Sequence, residues 1–229
     1  MSRSRLAVVA LLAVAVWFGQ SPAFAGTLQL RTTWDNSALS VTGWADGTTH
    51  GAWRSTYNGY GFNGIGRDGT RVLVERPKTS LRPGETHAGL VTSRASYGDS
   101  VMTVRSRTVK QLRLPTPNAW EVAWTLWHYT DDQHFYYLVL KPNGWELGKE
   151  DPAYPGAQRY LRTGSSPHFA VGRWHTMRIR QVGNLITVWG DGHRLTSFRD
   201  RQRPYRTGHV GLYNEDALVH FDTVRVVRP

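Results

Sequence analysis

The sequence predicts an all-β protein, a two-sheet antiparallel jelly-roll sandwich. Three observations predict it. From Trp174 to Val226 apolar and polar residues alternate in short runs, among them Trp174–Val182, Leu185–Trp189 and Leu218–Val226, which is the period-2 signature of half-buried strands. Gly183-Asn184 and Gly190-Asp191-Gly192 punctuate those runs, as hairpin turns do. Helical spacing is nearly absent, and no blade-like repeat marks a propeller.

Residues 1–25 stand apart from this pattern. Arg3 and Arg5, the apolar run Leu6 to Phe18, and Ala23-Phe24-Ala25 before Gly26 read as a secretory signal peptide. The apolar run is shorter than the roughly 20 residues that span a bilayer, and no second such run follows. A secreted, extracellular monomer without a transmembrane segment is therefore expected, with residues 26–229 as a single domain.

Along that domain, alternation and turn residues predict strands over Leu28–Trp34, Ala52–Thr56, Arg71–Glu75, Ser100–Thr108, Trp120–His128, His134–Lys141, Trp145–Lys149 and Gln158–Arg162. Further strands are predicted over Trp174–Val182, Leu185–Trp189, Arg194–Phe198, His209–Tyr213 and Leu218–Val226. Asn36 to Pro83 is rich in Gly and turn residues, so short strands and loops are expected there. Gly59-Tyr-Gly-Phe-Asn-Gly-Ile-Gly66 opens no helix and so lacks the amide cradle of a phosphate loop; it reads as a surface loop. Arg199-Asp-Arg-Gln-Arg-Pro204 reads as a solvated hairpin loop.

Composition narrows the chemistry. The chain has no cysteine and ten tryptophans. Thiol catalysis, zinc–thiolate sites and iron–sulfur clusters are excluded, and stability must come from packing. The formal charge is +11, of which Arg3 and Arg5 supply two. A field of that sign favours polyanionic partners; outside a cell these are uronic-acid polysaccharides, teichoic-acid-like polymers and anionic membranes, with nucleic acid not expected.

Alternation also splits each strand into two faces. If Val101–Thr108, Trp120–His128 and His134–Lys141 share one sheet, its solvent face gathers Arg105, Arg107, Glu121, Trp127, Tyr137 and Lys141. Aromatic faces stack on pyranose rings and arginine forks grip carboxylates or sulfates, so this mixture suits a sugar groove. The segment Lys141 to Tyr154 is dense in polar and aromatic groups, and Trp145 and Lys149 join the substrate-binding candidates. Glu146 and Glu150, four apart, fall on one face about 13 Å apart if extended. The carboxyls of a retaining glycosidase stand only about 5 Å apart and those of an inverting one wider, so a partner such as Glu121 from another strand is needed. In His128-Tyr-Thr-Asp-Asp-Gln-His134, Asp131-Asp132 reads first as turn chemistry.

Asp131–Leu140, Gly172–Ile179, Val188–Gly192, Gly208–Tyr213 and Val219–Val226 together resemble the concanavalin A-like (laminin-G-like) jelly-roll superfamily. Within it they are nearest to family-16-glycosidase-like domains of the 3-keto-disaccharide hydrolase type. The resemblance covers roughly the last half of the chain and implies a concave sheet that carries polysaccharide. It also implies a structural Ca²⁺, with Asp222 at the place of an aspartate ligand on the last strand, and no organic cofactor. The Glu-x-Asp-x-x-Glu signature of family-16 glucanases is absent from the chain, a departure from that pattern. Jelly-roll alginate lyases use Arg, amide, His and Tyr groups, and Arg105, Arg107, Lys141, His128 and Tyr137 are of those types. The expected function is thus binding of polysaccharide, an acidic one given the charge, on one sheet face. The alternative is a polysaccharide-cleaving lyase or glycoside hydrolase, with Tyr137, His128, Glu146 and Glu121 as catalytic candidates.

Overall fold

The computed structural model describes residues 26–229; the signal peptide expected over residues 1–25 lies outside the described residues. In chain order the strands are β1 (Thr27–Thr32), β2 (Thr49–His50), β3 (Trp53–Tyr57), β4 (Phe62–Asp68), β5 (Thr70–Arg76), β6 (Ala88–Tyr97), β7 (Ser100–Gln111) and β8 (Ala123–Asp131). There follow β9 (His134–Lys141), β10 (Gly144–Glu150), β11 (Gln158–Gly164), β12 (Trp174–Val182), β13 (Leu185–Gly190), β14 (His193–Arg199), β15 (Gly208–Glu215) and β16 (Ala217–Arg228). There is no helix among the described residues.

The strands form two antiparallel sheets. One runs β14-β13-β12-β7-β16-β5-β4, with β1 also paired to β16; the other runs β11-β10-β9-β8-β15-β6-β3-β2. Between them lies the main core, to which Leu73, Val104, Trp127, Leu138, Ile179 and Phe221 contribute. Polar links cross it as well: Trp127 Nε1 donates to Gln181 Oε1 at 2.7 Å, and Thr125 Oγ1 to Met177 Sδ at 3.5 Å. The architecture is the jelly-roll sandwich that the alternating pattern predicts.

Three strands escape the sequence pattern. β2 has two residues. β6 carries Gly89, Ser93 and Ser96 among its apolar residues, which blurs the alternation. β4 was expected as a loop because of its glycines, yet it pairs along its whole length with β5. Gly64 is needed there because a Cβ would come 2.8 Å from the Ser40 side chain, so the glycine marks a close approach rather than a turn.

One sheet assignment is overturned. β7 pairs with β12 and β16, whereas β8 and β9 lie in the opposite sheet. The three strands share no face. Within β8 the face is also reversed: Ala123 and Trp127 enter the main core, while Trp124 and Leu126 point away from it into a second apolar cluster with Leu90, Tyr129, Tyr137 and Val139. Both faces of β8 are buried, so its more apolar set does not identify the inside.

Candidate functional site

The second apolar cluster floors a groove on the outer face of the β11-to-β2 sheet. Three adjoining hollows make it up, of 200, 310 and 460 Å³. The first and second share Trp124, Gln158 and Glu215; the second and third share Tyr129 and Asp132. The track therefore crosses the strands from β11 towards β3. Larger hollows of 580 and 530 Å³ lie at loops, one of them lined by Trp120, which also borders the groove.

The side chains reach the groove by strand parity. On β9, Phe135, Tyr137 and Val139 face it because Tyr136, Leu138 and Leu140 fill the main core. On β10, Glu146, Gly148 and Glu150 face it, and on β15, Tyr213 and Glu215. Tyrosine–carboxylate pairs then organise the surface. Tyr137 donates to Glu146 Oε1 at 2.8 Å, Tyr213 to Glu215 Oε1 at 2.7 Å, and Tyr129 to Asp132 Oδ1 at 2.8 Å. Tyr57 adds a longer bond of 3.3 Å to Asp132. Burial, then the carboxylate charges, push the Tyr57, Tyr129, Tyr137 and Tyr213 hydroxyls above their ordinary range. All four remain proton donors at neutral pH.

The carboxyls differ among themselves. Burial first, and then the charge of Glu215, push Glu150 up to about 7. Burial also raises Glu215, partly offset by its Tyr213 bond. Glu146 instead takes Lys141 Nζ at 2.8 Å on its other oxygen. The two hollows nearer β11 are lined by Asp132, Glu146, Glu150 and Glu215 and by no Lys or Arg. An aromatic floor, several acids and one carboxyl that exchanges its proton near neutrality can stack a sugar ring, bind its hydroxyls and move a proton.

The structure brings only part of the expected set here. Tyr137, Glu146 and Lys141 lie on the groove face, Tyr137 fully buried beneath Glu146. Glu121 is a correction: it is fully buried, paired with Arg113 and bonded by the Asn118 amide at 2.8 Å. It closes a loop and faces no groove. His128 is 2 % exposed at a bulge with φ 49°, its ring against the carbonyls of Tyr205 (2.9 Å) and Gly98 (3.3 Å). Trp127 is in the main core, and Trp145 faces that side too, bonding Ser166 O at 2.9 Å. Lys149 has no exposed surface; it reaches Asp200 Oδ2 at 3.1 Å and the carbonyls of Gln202 and Arg203. Arg105 and Arg107 lie on the opposite sheet, held by Asp222 and by Asp68 at 3.0 Å.

That pairing bears on calcium. The Asp222 carboxylate meets Arg105 and also accepts from Thr70 at 3.4 Å. A guanidinium on the oxygen repels a second cation, and calcium needs six to eight oxygens. Among the described residues no three His, Cys, Asp or Glu side chains gather as a metal site. The donor set at Asp222 does not fit the ion. The Asp131-Asp132 loop is turn chemistry, with Gln133 N donating to Asp131 Oδ1 at 2.9 Å.

Sequence reasoning missed Tyr57, Trp124, Tyr129, Asp132, Tyr213 and Glu215 as groove residues. The one visible signal was Tyr213-x-Glu215, whose period of two puts both on one face of β15.

Comparison with known proteins adds three findings. A family model described as a 3-keto-alpha-glucoside-1,2-lyase-like domain matches residues 40–227. No curated protein sequence matches the chain. Solved structures share the fold at low identity. The carbohydrate-binding module CBM66 from Bacillus subtilis superposes with a TM-score of 0.56 and 13% identity, over 77% of this chain and 95% of its own. A non-specific endo-β-1,3(4)-glucanase of family GH16 gives 0.57 and 12%, over 90% and 92%. The Bacillus licheniformis β-glucanase gives 0.54 and 11%, over 90% and 100%.

Proposed function

Because the chain belongs to the 3-keto-alpha-glucoside-1,2-lyase-like domain family, we propose that it is a carbohydrate-active protein that takes a saccharide into the groove on the outer face of the β11-to-β2 sheet. The observation that carries this reading is the floor of Trp124, Tyr129, Phe135 and Tyr213 beneath a rim of Asp132, Glu146, Glu150 and Glu215. Rings bury the apolar faces of sugars, and carboxylates accept their hydroxyl protons. The ligand is neutral rather than uronic, since the lining of the two hollows nearer β11 holds acids and no base. Export, expected from the leader, suits a monomer that meets glycans outside the cell. Titration of tryptophan fluorescence with neutral oligosaccharides tests the reading. Saturable quenching is expected, weakened about tenfold, or ~1.4 kcal/mol, by Trp124→Ala. Unchanged binding in that variant would remove the groove from the reading.

A second reading, cleavage, is favoured by one observation: Glu150 holds its proton to about pH 7 beside Glu215. The family name points to 1,2-elimination from a 3-keto-glucoside. In that reaction a base removes the C2 proton, acidified by the C3 carbonyl. The electron pair forms the C1–C2 double bond, the C1–O bond breaks, and the departing oxygen takes a proton. Glu150 is the proton donor and Glu215, made more basic by burial, the acceptor. Incubation with a p-nitrophenyl 3-keto-α-glucoside should release the phenol together with an unsaturated ketone. Release of phenol without that ketone would mean hydrolysis; release of neither would leave binding alone. Glu150→Gln should lower the rate about 100-fold and leave Trp124-dependent binding in place.

A further inference from the structure

The opposite sheet carries the basic counterpart of the groove. Its register sets Arg31 against Arg225, Arg225 against Thr103, Thr103 against Arg178, Arg178 against Trp189 and Trp189 against Arg194. These six positions make one row across β1, β16, β7, β12, β13 and β14. Leu30, Val224, Val226, Met177, Ile179 and Val188, which flank the row along the strands, sit in the main core, so alternation turns the row outward. Five strand spacings make it about 24 Å long.

Four of the six positions are arginine and none is acidic. Like charges directly opposite one another are destabilising, yet Arg31 faces Arg225. Burial and then the Arg225 charge lower the pKa of Arg178, which shows how closely the cations crowd. Two acids of this face are engaged beyond the row, Asp222 by Arg105 and Asp68 by Arg107 and His220. Beside the cations stand a ring and hydroxyls. The Arg178 guanidinium lies 5.2 Å over Trp189, and Arg194 donates to Ser197 Oγ at 2.9 Å, itself 2.6 Å from Thr187 Oγ1.

We propose that this row docks a linear acidic polysaccharide, on a surface separate from the saccharide groove. Charge complementarity carries the proposal: a strip of cations one strand-residue wide matches a chain with regularly spaced carboxylates or sulfates. The Trp189 ring and the neighbouring hydroxyls suit sugar units, and the row presents no exposed aliphatic side chain that a bilayer would take up. The proposal is independent of the groove and of cleavage.

The test is affinity electrophoresis of the protein through gels containing alginate, with neutral dextran as control. Retardation by alginate alone, weakening with salt, is expected. Arg178→Gln with Arg225→Gln should reduce alginate affinity at least tenfold, and Arg31→Gln with Arg194→Gln, both exposed, should do so as well. Each pair should leave the protein folded with a cooperative thermal transition, because all four positions lie on the outer face of the sheet. Trp124→Ala should leave alginate binding intact while weakening neutral oligosaccharides. No retardation, unchanged retardation in both double variants, or loss of alginate binding in a Trp124→Ala protein shown by circular dichroism to be folded would each overturn the proposal. So would equal affinity for duplex DNA or phosphatidylserine vesicles at the same salt concentration, which would make the row a general polyanion surface.

Discussion

At the scale of single residues, burial raises the pKa of two glutamates, to different extents. Glu150 is half-buried beside Glu215 and is raised from 4.5 to about 7. The folded state then binds its proton more tightly than the unfolded chain does. Its contribution to stability is fully present below about pH 4.5 and is lost as the pH rises through about 7. Urea melts across that window should show Glu150→Gln flattening the decline, and any cleavage rate should fall on the alkaline side of about 7. Glu75 is fully buried between the sheets, and burial pushes it well above the carboxylate range. Asn214 donates to one of its oxygens at 3.1 Å. Its other oxygen, like the carboxamide oxygens of Asn63 and Asn214, has no donor. A proton on Glu75 converts one of these acceptors into a donor. Glu75→Gln should therefore fold within about 1 kcal/mol of the parent, while Glu75→Ala should cost about 1–3 kcal/mol by stranding its partners. Chemical denaturation of the two variants decides this.

At the scale of elements, the groove depends on β10 lying close over the ring of Tyr137. A Cβ on Gly148 would come 2.0 Å from Tyr137 Cζ. Gly148→Ala must displace that ring, and with it the Tyr137–Glu146 bond and the Gln158 amide that donates to the Tyr137 hydroxyl at 3.0 Å. A loss of about 1–3 kcal/mol is expected, together with weaker saccharide binding. Normal binding in a stable variant would show that the groove tolerates a shifted tyrosine. β8 shows why parity misleads. Val122, Trp124 and Leu126 look like a core face in the sequence, and they are buried, but against the groove side. Trp127, read as an outward sugar platform, anchors the main core through Gln181. Trp127→Ala should cost about 3–5 kcal/mol, which thermal unfolding will measure.

At the scale of the whole molecule, charge is unevenly divided between the two outer faces: the two hollows nearer β11 hold acids and no Lys or Arg, while the third hollow of the groove adds Arg54 and Arg94. The centre of the groove is acidic and aromatic, whereas the far sheet holds the row of arginines and the paired Arg105 and Arg107. The net charge alone implied a polyanion on the aromatic face. The structure divides that expectation in two, since one β-strand passing to the other sheet carries its arginines away from the groove. Raised salt should weaken binding to the arginine row and leave a neutral saccharide in the groove nearly unaffected.

Local pattern determined the sheet-rich architecture, because strand alternation and Gly/Asn/Asp turns are properties of neighbouring residues. Period 2 also put Tyr137 and Lys141 on one face of β9, and Glu146 and Glu150 on one face of β10; the β9–β10 hairpin register is what sets those two faces side by side. Only the tertiary structure decided which strands share a sheet, and hence that Arg105 and Arg107 leave the groove while Glu215 and Tyr213 enter it. It alone decided that Glu121 and Lys149 are buried in ion pairs. Strand pairing is a long-range contact, and the pattern of a strand buried on both faces carries no mark of which face is which.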